Sequence, residues 1–444
     1  MTGPVLAAIG ALALAGTPAP ASADWLGYGF DAARTGAARP SRAPVGLELL
    51  WRVRLRGRIT SQVLVAGRTV LVATSAGGVY ALDPSGRERW HVRLGRARTT
   101  CPQLDGFGIT GTPAIDPASR TIYLVDAFGR LHALELATGR ERAGWPRTLY
   151  DDPQRELVWG ALALVDGALY VPTGSICDRP IEGKVIRVDT ATGTAAAWRS
   201  VPFELGGGGG IWGWGGVAYS ARLGSLLVVT GNALRGGAND GASFSEAAGY
   251  GEQLVELGPD LRVRAASHPG DIDAPLDLDF VGSPVVATRP GCGELVAAAN
   301  KNGSLYGWRS DGIAAGPLWG LVLRARNSLP LISQPAWAAA TGSFVVADAT
   351  RLTRVDVKRD CTISVAWSRP AGGLTNSSPT IAGDIVWYVQ NGPDSPALKA
   401  VDLRSGRTRL RAALPRPGFV APTIVGSRLY VATMGGDLEA FALR

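Results

Sequence analysis

The chain has 444 residues, which exceeds what one packed core normally supports, since such cores stop growing near about 250–300 residues. Repeat architectures escape this limit because they grow by adding units. The 59 glycines and 29 prolines predict many turns, and the charged fraction of only 18% excludes a highly charged, disordered chain. The net charge of +8 comes from arginines scattered singly along the sequence, a pattern that disfavours nucleic-acid binding.

The first residues have the composition of an export signal. An apolar stretch from Val5 ends in the small-residue pattern Ala21-Ser-Ala23, which is typical of a signal-peptide cleavage site. The stretch is too short to cross a bilayer comfortably, so we expect no transmembrane segment. We therefore predict a signal peptide over residues 1–23, a mature chain from Asp24, and a secreted or otherwise extracytoplasmic location.

One sequence pattern recurs along the mature chain: a strand, a glycine turn, a second strand ending in Leu-Asp or Val-Asp, another turn and a tryptophan. The clearest copy runs from Leu71 to Trp90, and eight copies follow one another about 40–70 residues apart. Within them apolar and polar residues alternate with the period of β-strands, as in 121–126. The sequence therefore predicts an all-β, eight-bladed propeller of four-stranded antiparallel blades.

The two ends of the chain predict how the ring closes. The last repeat stops before its tryptophan strand, and a matching strand, 49–55, stands near the start of the mature chain. Joining the two would complete the eighth blade and remove an exposed sheet edge. We predict one domain over 24–444, in which 24–47 is an outer wrapping segment.

Residues that could take part in catalysis or ligand binding fall into loops that share one face of such a disc. These loops comprise a glycine-rich entry to blade four, a Thr-Gly-Asn strand end, two acidic loops and a turn with a lone lysine. The candidate site residues are Trp212, Asn232, Ser175, Asp178, Asp271, Asp273 and Lys301. Each also has a simpler interpretation, because Asn232 could cap a turn and Lys301 could be a solvated turn residue. Asp178 could be a surface residue, and Trp212 could plug the channel.

The four cysteines predict two disulfides in an exported protein. Cys101 and Cys177 lie in loops on the candidate face, which favours a bridge between them. Cys292 and Cys361 lie on the opposite face of adjacent blades, which favours a second bridge.

The repeats, the glycine-rich entry to blade four and the segment from Asp24 to Gly36 resemble the quinoprotein alcohol dehydrogenase-like superfamily over essentially the whole mature chain. The resemblance implies pyrroloquinoline quinone (PQQ) and Ca²⁺ as cofactors. It places Trp212 under the quinone, Lys301 at the quinone oxygens and Ser175 beside the ring. It also implies Asp178 and Asn232 as Ca²⁺ ligands and Asp273 or Asp271 as the base.

The sequence departs from these enzymes in ways that keep a second hypothesis open. Cys101 has no adjacent cysteine, the arginine expected shortly after it is absent, and no haem-attachment motif is present. The first hypothesis is a monomeric oxidoreductase that acts on an alcohol or sugar and passes electrons to an external acceptor. The alternative is a non-catalytic binding or assembly scaffold with a protein partner and no cofactor.

Overall fold

The computed structural model describes residues 24–38, 44–99, 106–175, 180–234, 247–270, 277–324, 333–375, 377–392 and 395–444. The predicted signal peptide over 1–23 lies outside these ranges. Within them the chain forms strands and two single-turn 3₁₀ helices, Phe203–Leu205 and Ile313–Ala315. No helix in this described part is long and apolar enough to cross a membrane.

Seven four-stranded antiparallel sheets and one that a fifth, parallel strand (Ala37–Ala38) extends follow one another around the ring, so the predicted all-β, eight-bladed propeller is confirmed. Two strands precede the first complete blade: β1 (Ala37–Ala38) and β2 (Leu47–Arg54). Blades one to four contain β3 (Leu64–Ala66), β4 (Thr69–Ala73), β5 (Gly78–Leu82) and β6 (Glu88–Arg93); β7 (Ala114–Asp116), β8 (Thr121–Val125), β9 (Arg130–Glu135) and β10 (Arg147–Thr148); β12 (Ala163–Val165), β13 (Ala168–Pro172), β15 (Lys184–Asp189) and β16 (Ala195–Arg199); and β17 (Ala218–Ser220), β18 (Ser225–Val229), β19 (Leu254–Leu257) and β20 (Val263–Ser267).

The second half of the ring repeats the same order. Blades five to eight contain β21 (Val285–Arg289), β22 (Gly293–Ala299), β23 (Ser304–Arg309) and β24 (Trp319–Val322); β25 (Ala336–Ala338), β26 (Ser343–Ala347), β27 (Ala349–Val357) and β28 (Ile363–Thr375); β29 (Thr380–Ala382), β30 (Ile385–Gln390), β31 (Ala397–Asp402) and β32 (Thr408–Ala413); and β33 (Thr423–Val425), β34 (Arg428–Ala432) and β35 (Asp437–Leu443), completed by β2. A separate small ladder joins β11 (Glu156–Leu157) to β14 (Gly174–Ser175) within blade three.

Burial follows the order of strands within each blade. The second strand, such as β4, is buried along its whole length, whereas the fourth, such as β6, alternates between exposed and half-buried residues. This gradient places the first strand at the axis and the fourth at the rim. At the ring junction, β2 pairs with β35 in antiparallel register, so a strand from the start of the chain forms the outer strand of blade eight.

Three of the recurring tryptophans join one blade to the next. Trp90 in blade one donates its indole N–H to the carbonyl of Leu136 in blade two, 3.2 Å away. Trp51 makes the same contact to Pro84 at 2.9 Å, and Trp367 to Leu403 at 2.9 Å. These side chains therefore dock against the neighbouring blade.

Gly139 is the residue of blade two against which Trp90 packs, and replacing it by Ala should destabilise the ring. Gly139 has a φ of +71°, and a Cβ there would lie 2.5 Å from the Trp90 ring. Left-handed strain of about 1–2 kcal/mol and overpacking of about 1–3 kcal/mol should add. Urea unfolding measures the loss, with Gly67→Ala as the control because Gly67 has a φ of +56° and no atom within 4 Å of its Cβ position. Equal losses in both variants would contradict the docking role.

The described part of the predicted wrapping segment, 24–38, crosses the inner strands of the disc. Its backbone bonds to blades one, two, four, five, six and seven, ending where β1 pairs in parallel with β29. Arg34, which is 2% exposed, donates to the carbonyls of Val217, Tyr28 and Leu162. Burial lowers the pKa of Arg34 to about 10.

Cys292 and Cys361 form a disulfide between blades five and six, as the sequence predicts. The bridge spans 69 residues of chain. Cys101 and Cys177, predicted to form the other bridge, lie outside the described residues.

Removing the Cys292–Cys361 bridge by a double Ser substitution should lower the free energy of unfolding by about 2–4 kcal/mol, because the unfolded chain regains conformational entropy. The midpoint of urea unfolding under oxidising conditions measures this change. A midpoint equal to that of the parent protein would contradict it.

Candidate functional site

The candidate site is built from loops that enter and leave blades three, four and five on one face. The glycine-rich entry to blade four, 206–216, passes beside the β13–β15 loop of blade three and the β18–β19 loop of its own blade. Gly208 has a φ of +106°, and a Cβ there would lie 2.3 Å from the carbonyl oxygen of Asn232. A Cβ on Gly174 would come within 2.8 Å of the Trp212 Cβ. Glycine is therefore required for these backbones to approach so closely.

Trp212, Asp279 and Lys301 form the centre of the site. The Trp212 indole N–H donates to Asp279 Oδ2 at 2.9 Å. Lys301 Nζ lies 2.5 Å from Asp279 Oδ1 and 4.9 Å from the centre of the Trp212 ring. The ammonium thus sits beside a buried carboxylate and over an aromatic face, where a cation is stabilised by both.

Asp277 adds a second carboxylate to the same cation. Lys301 Nζ donates to Asp277 Oδ1 at 2.7 Å, and the Asp277 side chain is 43% exposed whereas that of Asp279 is 3% exposed. Burial alone would lower the pKa of Lys301, but the charges and hydrogen bonds of Asp279 and Asp277 outweigh it and raise the pKa above that of an ordinary lysine. Lys301 therefore carries its positive charge at neutral pH.

Asn232 connects this cluster to the strand end of blade four. Its amide nitrogen donates to Asp277 Oδ1 at 2.8 Å, which orients the side chain. The opposite atom, Oδ1, is buried and has no hydrogen-bond partner within the described ranges. A buried amide oxygen without a partner costs free energy, so this atom is available to a water molecule or a cation.

A small cavity of about 20 Å³ faces this oxygen. It is lined by Ser175, Gly208, Gly210, Trp212, Gly231, Asn232 and Asp279, together with Ile181 and Leu234. This volume is sufficient for one water molecule or one ion. The lining therefore offers an amide oxygen, a carboxylate and a hydroxyl to a single small guest.

A larger cavity of about 200 Å³ opens on the same face. Three aromatic side chains wall it: Trp214 lies edge-to-face with Trp159 at 5.9 Å and with Phe419 at 4.2 Å. Arg58 lines the same cavity. The two cavities are neighbours, since a Cβ on Gly174 would contact Trp212 of the first and Trp159 of the second.

Comparison with known proteins agrees with this architecture. A family model described as outer membrane protein assembly factor BamB matches residues 46–229. The structure of a europium-containing methanol dehydrogenase superposes with a TM-score of 0.77 at 16% identity, covering 96% of this chain and 99% of the other. The resemblance predicted from the repeats is therefore confirmed. The chain is an eight-bladed β-propeller that resembles the quinoprotein-like propellers.

The other proteins that this propeller resembles include both enzymes and an assembly protein. Quinohemoprotein alcohol dehydrogenase from Comamonas testosteroni superposes with a TM-score of 0.72 at 17% identity over 95% of this chain and 80% of its own. BamB from Moraxella catarrhalis superposes with a TM-score of 0.61 at 15% identity, covering 90% of this chain and 98% of its own. Polyvinylalcohol dehydrogenase from Sphingopyxis sp. (strain 113P3) is 26% identical over 158 residues, which are 33% of this chain and less than a quarter, 23%, of that relative.

The structure of the propeller brings together four of the residues singled out from the sequence. Trp212, Asn232 and Ser175 line the small cavity, and Lys301 lies over the Trp212 ring. The other three, Asp178, Asp271 and Asp273, lie outside the described residues.

Asp277 and Asp279 are the site residues that sequence reasoning missed. They stand in a Leu-Asp-Leu-Asp-Phe segment just before the first strand of blade five. Two aspartates separated by one residue on an entry loop are a sequence signal that could have identified them. It was missed because the two aspartates nearer His268 occupied the same predicted role.

Proposed function

We propose that this propeller binds PQQ together with a hard metal cation and oxidises an alcohol or sugar hydroxyl, passing electrons to an external acceptor. The observation that carries the proposal is the buried, unpartnered Oδ1 of Asn232, which faces an ion-sized cavity beside Asp279 and Trp212. A protein without a ligand at this place would be expected to fill the space with apolar side chains. Here polar side chains, those of Ser175, Asn232 and Asp279, line it.

The oxygen donors around the small cavity fit a hard cation. Asn232 Oδ1, the Asp279 carboxylate and the Ser175 hydroxyl are the kinds of ligand that Ca²⁺ prefers. Among the described residues no group of three or more His, Cys, Asp or Glu side chains could hold a metal, so a cation here would rely on Asp279 together with neutral oxygen donors. The europium named for one structural neighbour makes a lanthanide the second candidate for the same donors.

Trp212 and Lys301 fit the planar quinone. The indole offers a flat face that its bond to Asp279 holds in place, and Lys301 offers an ammonium over that face. When bound, the quinone would accept two electrons and the carbon-bound hydrogen of the alcohol, with the cation polarising a quinone carbonyl. The protein's part is to orient the ring and to keep a positive charge beside its oxygens.

Asp277 fits the role of the base that takes the hydroxyl proton. Its carboxylate is 43% exposed, and Oδ1 accepts hydrogen bonds from both Asn232 and Lys301. These donors hold the carboxylate in place, so it can accept a proton from a hydroxyl placed beside it. The earlier candidates, Asp271 and Asp273, remain predictions.

The names of the enzyme relatives indicate the substrate class. They are dehydrogenases of methanol, of alcohols and of polyvinylalcohol, so a primary or secondary hydroxyl is the group that we propose for oxidation. Because the chain has no haem-attachment motif, the electrons would pass to a separate acceptor. We further propose an extracytoplasmic location, which the disulfide supports.

Dye-linked oxidation of a short-chain alcohol series tests the function. Protein reconstituted with PQQ and either Ca²⁺ or Eu³⁺ should reduce the dye, and Asp277→Asn should lower kcat by about 100-fold or more while PQQ binding persists. Asp360→Asn, an exposed acidic residue far from the site in sequence and on the opposite face, is the control. If the parent protein with bound PQQ shows no turnover with either metal, the catalytic proposal is overturned.

A cofactor-free binding scaffold is the second candidate. The family match over 46–229 supports it, and so does Lys301, whose ammonium already pairs with both carboxylates without a metal. A scaffold would bind neither PQQ nor a lanthanide at this site. Its partner would then be a protein, identified by crosslinking from the exported fraction.

A further inference from the structure

We propose that the outer rim of blades seven, eight and one is a docking surface for a membrane rich in anionic phospholipid. The surface, called the arginine rim below, consists of the exposed arginines on the fourth strands of these blades: Arg52 and Arg54 on β2, Arg89 and Arg93 on β6, and Arg409 and Arg411 on β32. None of the six lines either cavity of the candidate site, so the proposal does not depend on the function proposed above.

The members of the arginine rim are scattered along the sequence and are brought together by the fold. β32, β2 and β6 are the outermost strands of three consecutive blades, because β2 completes blade eight between blades seven and one. Towards the end of each strand exposed residues alternate with half-buried ones, since successive side chains of a strand point to opposite faces. The arginines occupy exposed positions, so closure of the ring gathers them on one side of the disc.

The net charge of this side is larger than that of the whole chain. Residues 44–99 and 380–444, which span the three blades, contain 18 basic and 8 acidic residues, a net charge of +10. The rest of the chain contains 27 basic and 29 acidic residues, a net charge of −2. The positive potential is therefore concentrated on one side of the disc, where it attracts anions over a Debye length of about 8 Å in physiological salt.

Most guanidinium groups of the arginine rim are available to a partner. Arg52 pairs with Glu439, and Arg409 pairs with Asp402. The other four form no ion pair with any residue that the structure describes. An unpaired guanidinium at the surface presents a planar fork of donors that matches the oxygens of a phosphate.

Protection of sheet edges does not by itself account for this placement. Charged side chains on outer strands prevent sheets from associating edge to edge. All eight blades have an outer strand, yet β10, β16, β20 and β28 carry one arginine each and β24 carries none. The strands with two arginines are confined to three consecutive blades, as expected of a surface that recognises a partner.

Exposed apolar side chains beside the arginine rim favour a membrane over a soluble acidic partner. Val45 is 87% exposed, and Leu49 and Leu50 on β2 are exposed as well. The register of β2 against β35 shifts between Leu49 and Trp51, so a β-bulge presents two consecutive leucines to the surface. Surfaces that bind at a membrane interface combine apolar residues, which enter the acyl boundary, with cations that contact anionic headgroups.

Co-sedimentation with lipid vesicles tests the proposal. The parent protein should bind vesicles of equimolar phosphatidylglycerol and phosphatidylcholine and should not bind vesicles of phosphatidylcholine alone. The triple variant Arg54→Gln/Arg93→Gln/Arg411→Gln should bind the anionic vesicles about 100-fold more weakly, because each basic residue near an anionic surface contributes about fivefold in affinity. Absence of parent binding to the anionic vesicles, or equal binding to both kinds of vesicle, would overturn the proposal.

The matched control is Arg147→Gln/Arg199→Gln/Arg264→Gln. These three arginines are also exposed on fourth strands, those of blades two, three and four, and their removal changes the net charge equally. This variant should bind anionic vesicles within about threefold of the parent, because the lost charges lie outside the arginine rim. Equal weakening in both triple variants would show that net charge alone drives binding and would contradict a docking surface.

Two further conditions test the parent protein without any substitution. Binding should be lost in 1 M NaCl, where the Debye length falls to about 3 Å. Free glycerophosphoglycerol, the soluble headgroup, should not displace the protein at a concentration equal to that of the accessible lipid, because a spread surface needs many headgroups at once. Full displacement by the free headgroup would indicate a discrete anion site and would overturn the membrane as the partner.

Discussion

Asp279→Asn is expected to abolish metal-dependent binding of PQQ. Asn keeps the shape of the side chain and an oxygen that can accept the indole N–H of Trp212, now 2.9 Å from Asp279. It removes the buried negative charge that the ion-sized cavity offers to a cation. Since substitutions around metal ligands commonly cost 10–100-fold in affinity, losing the charged ligand itself should cost about 100-fold or more. Calorimetry with Ca²⁺ and with Eu³⁺, in the presence of PQQ, measures the loss.

The matched control for Asp279→Asn is Asp311→Asn. Asp311 belongs to the same blade and is 45% exposed, where it pairs with Arg309 at 3.0 Å. Its removal changes the net charge equally but should leave metal affinity within twofold, because exposed ion pairs contribute little. Unchanged metal affinity in Asp279→Asn would show that Asp279 is not a metal ligand.

Lys301→Met is expected to destabilise the metal-free protein and to make it depend on added cation. The substitution leaves Asp277 and Asp279 without the ammonium that now lies 2.7 and 2.5 Å from them. Breaking a buried pair in this way commonly costs about 3–5 kcal/mol, and the exposure of Asp277 places the expected loss at about 3 kcal/mol. Ca²⁺ at roughly 100 times its Kd should restore about 2.7 kcal/mol. Thermal unfolding with and without Ca²⁺ measures both effects.

The comparison variant is Lys358→Met, which replaces an exposed lysine on a turn of blade six. Its stability should lie within about 0.5 kcal/mol of the parent and should not respond to Ca²⁺ differently from the parent. If Lys301→Met is equally destabilised at all Ca²⁺ concentrations, the two carboxylates are a structural ion pair and not part of a cation site. That result would favour the cofactor-free scaffold.

The fold could be read from the sequence because each blade repeats the same local chemistry. A strand pair, a Leu-Asp or Val-Asp turn and a tryptophan recur, and Trp90 and Trp367 make the same contact with the following blade in the structure. The outer strand of blade eight was predictable as well, since 49–55 resembles the strand that the last repeat lacks. Periodic features of this kind are set by local sequence and nearest-neighbour packing.

The site was only partly predictable because entry loops have no period. Trp212, Asn232 and Lys301 belong to short motifs next to strand ends, so their positions followed from the blade pattern. Asp277 lies in a loop where its φ is +53°, and its contact with Lys301 depends on how that loop returns to blade five. Nothing in the spacing of charges along the chain indicates which of several aspartates points at the lysine.

The path of the segment 24–38 shows the same limit for long-range contacts. Arg34 reaches carbonyls of blades three and four from a segment that precedes the whole propeller. Its sequence neighbours give no sign of this burial, because a lone arginine is more often exposed. Two of the three carbonyls that its nitrogens contact, those of Leu162 and Val217, lie 128 and 183 residues away along the chain.

The central claim is that Asn232 and Asp279 hold a metal cation beside a quinone on Trp212. The most direct measurement is anomalous diffraction from crystals grown with PQQ and Eu³⁺. The account predicts one dominant anomalous peak in the small cavity, bonded to Asn232 Oδ1 and to the Asp279 carboxylate at about 2.3–2.6 Å, the range for hard-cation oxygen ligands. A cavity that holds no europium while Lys301 still bridges Asp277 and Asp279, in a protein saturated with PQQ and Eu³⁺, would contradict it.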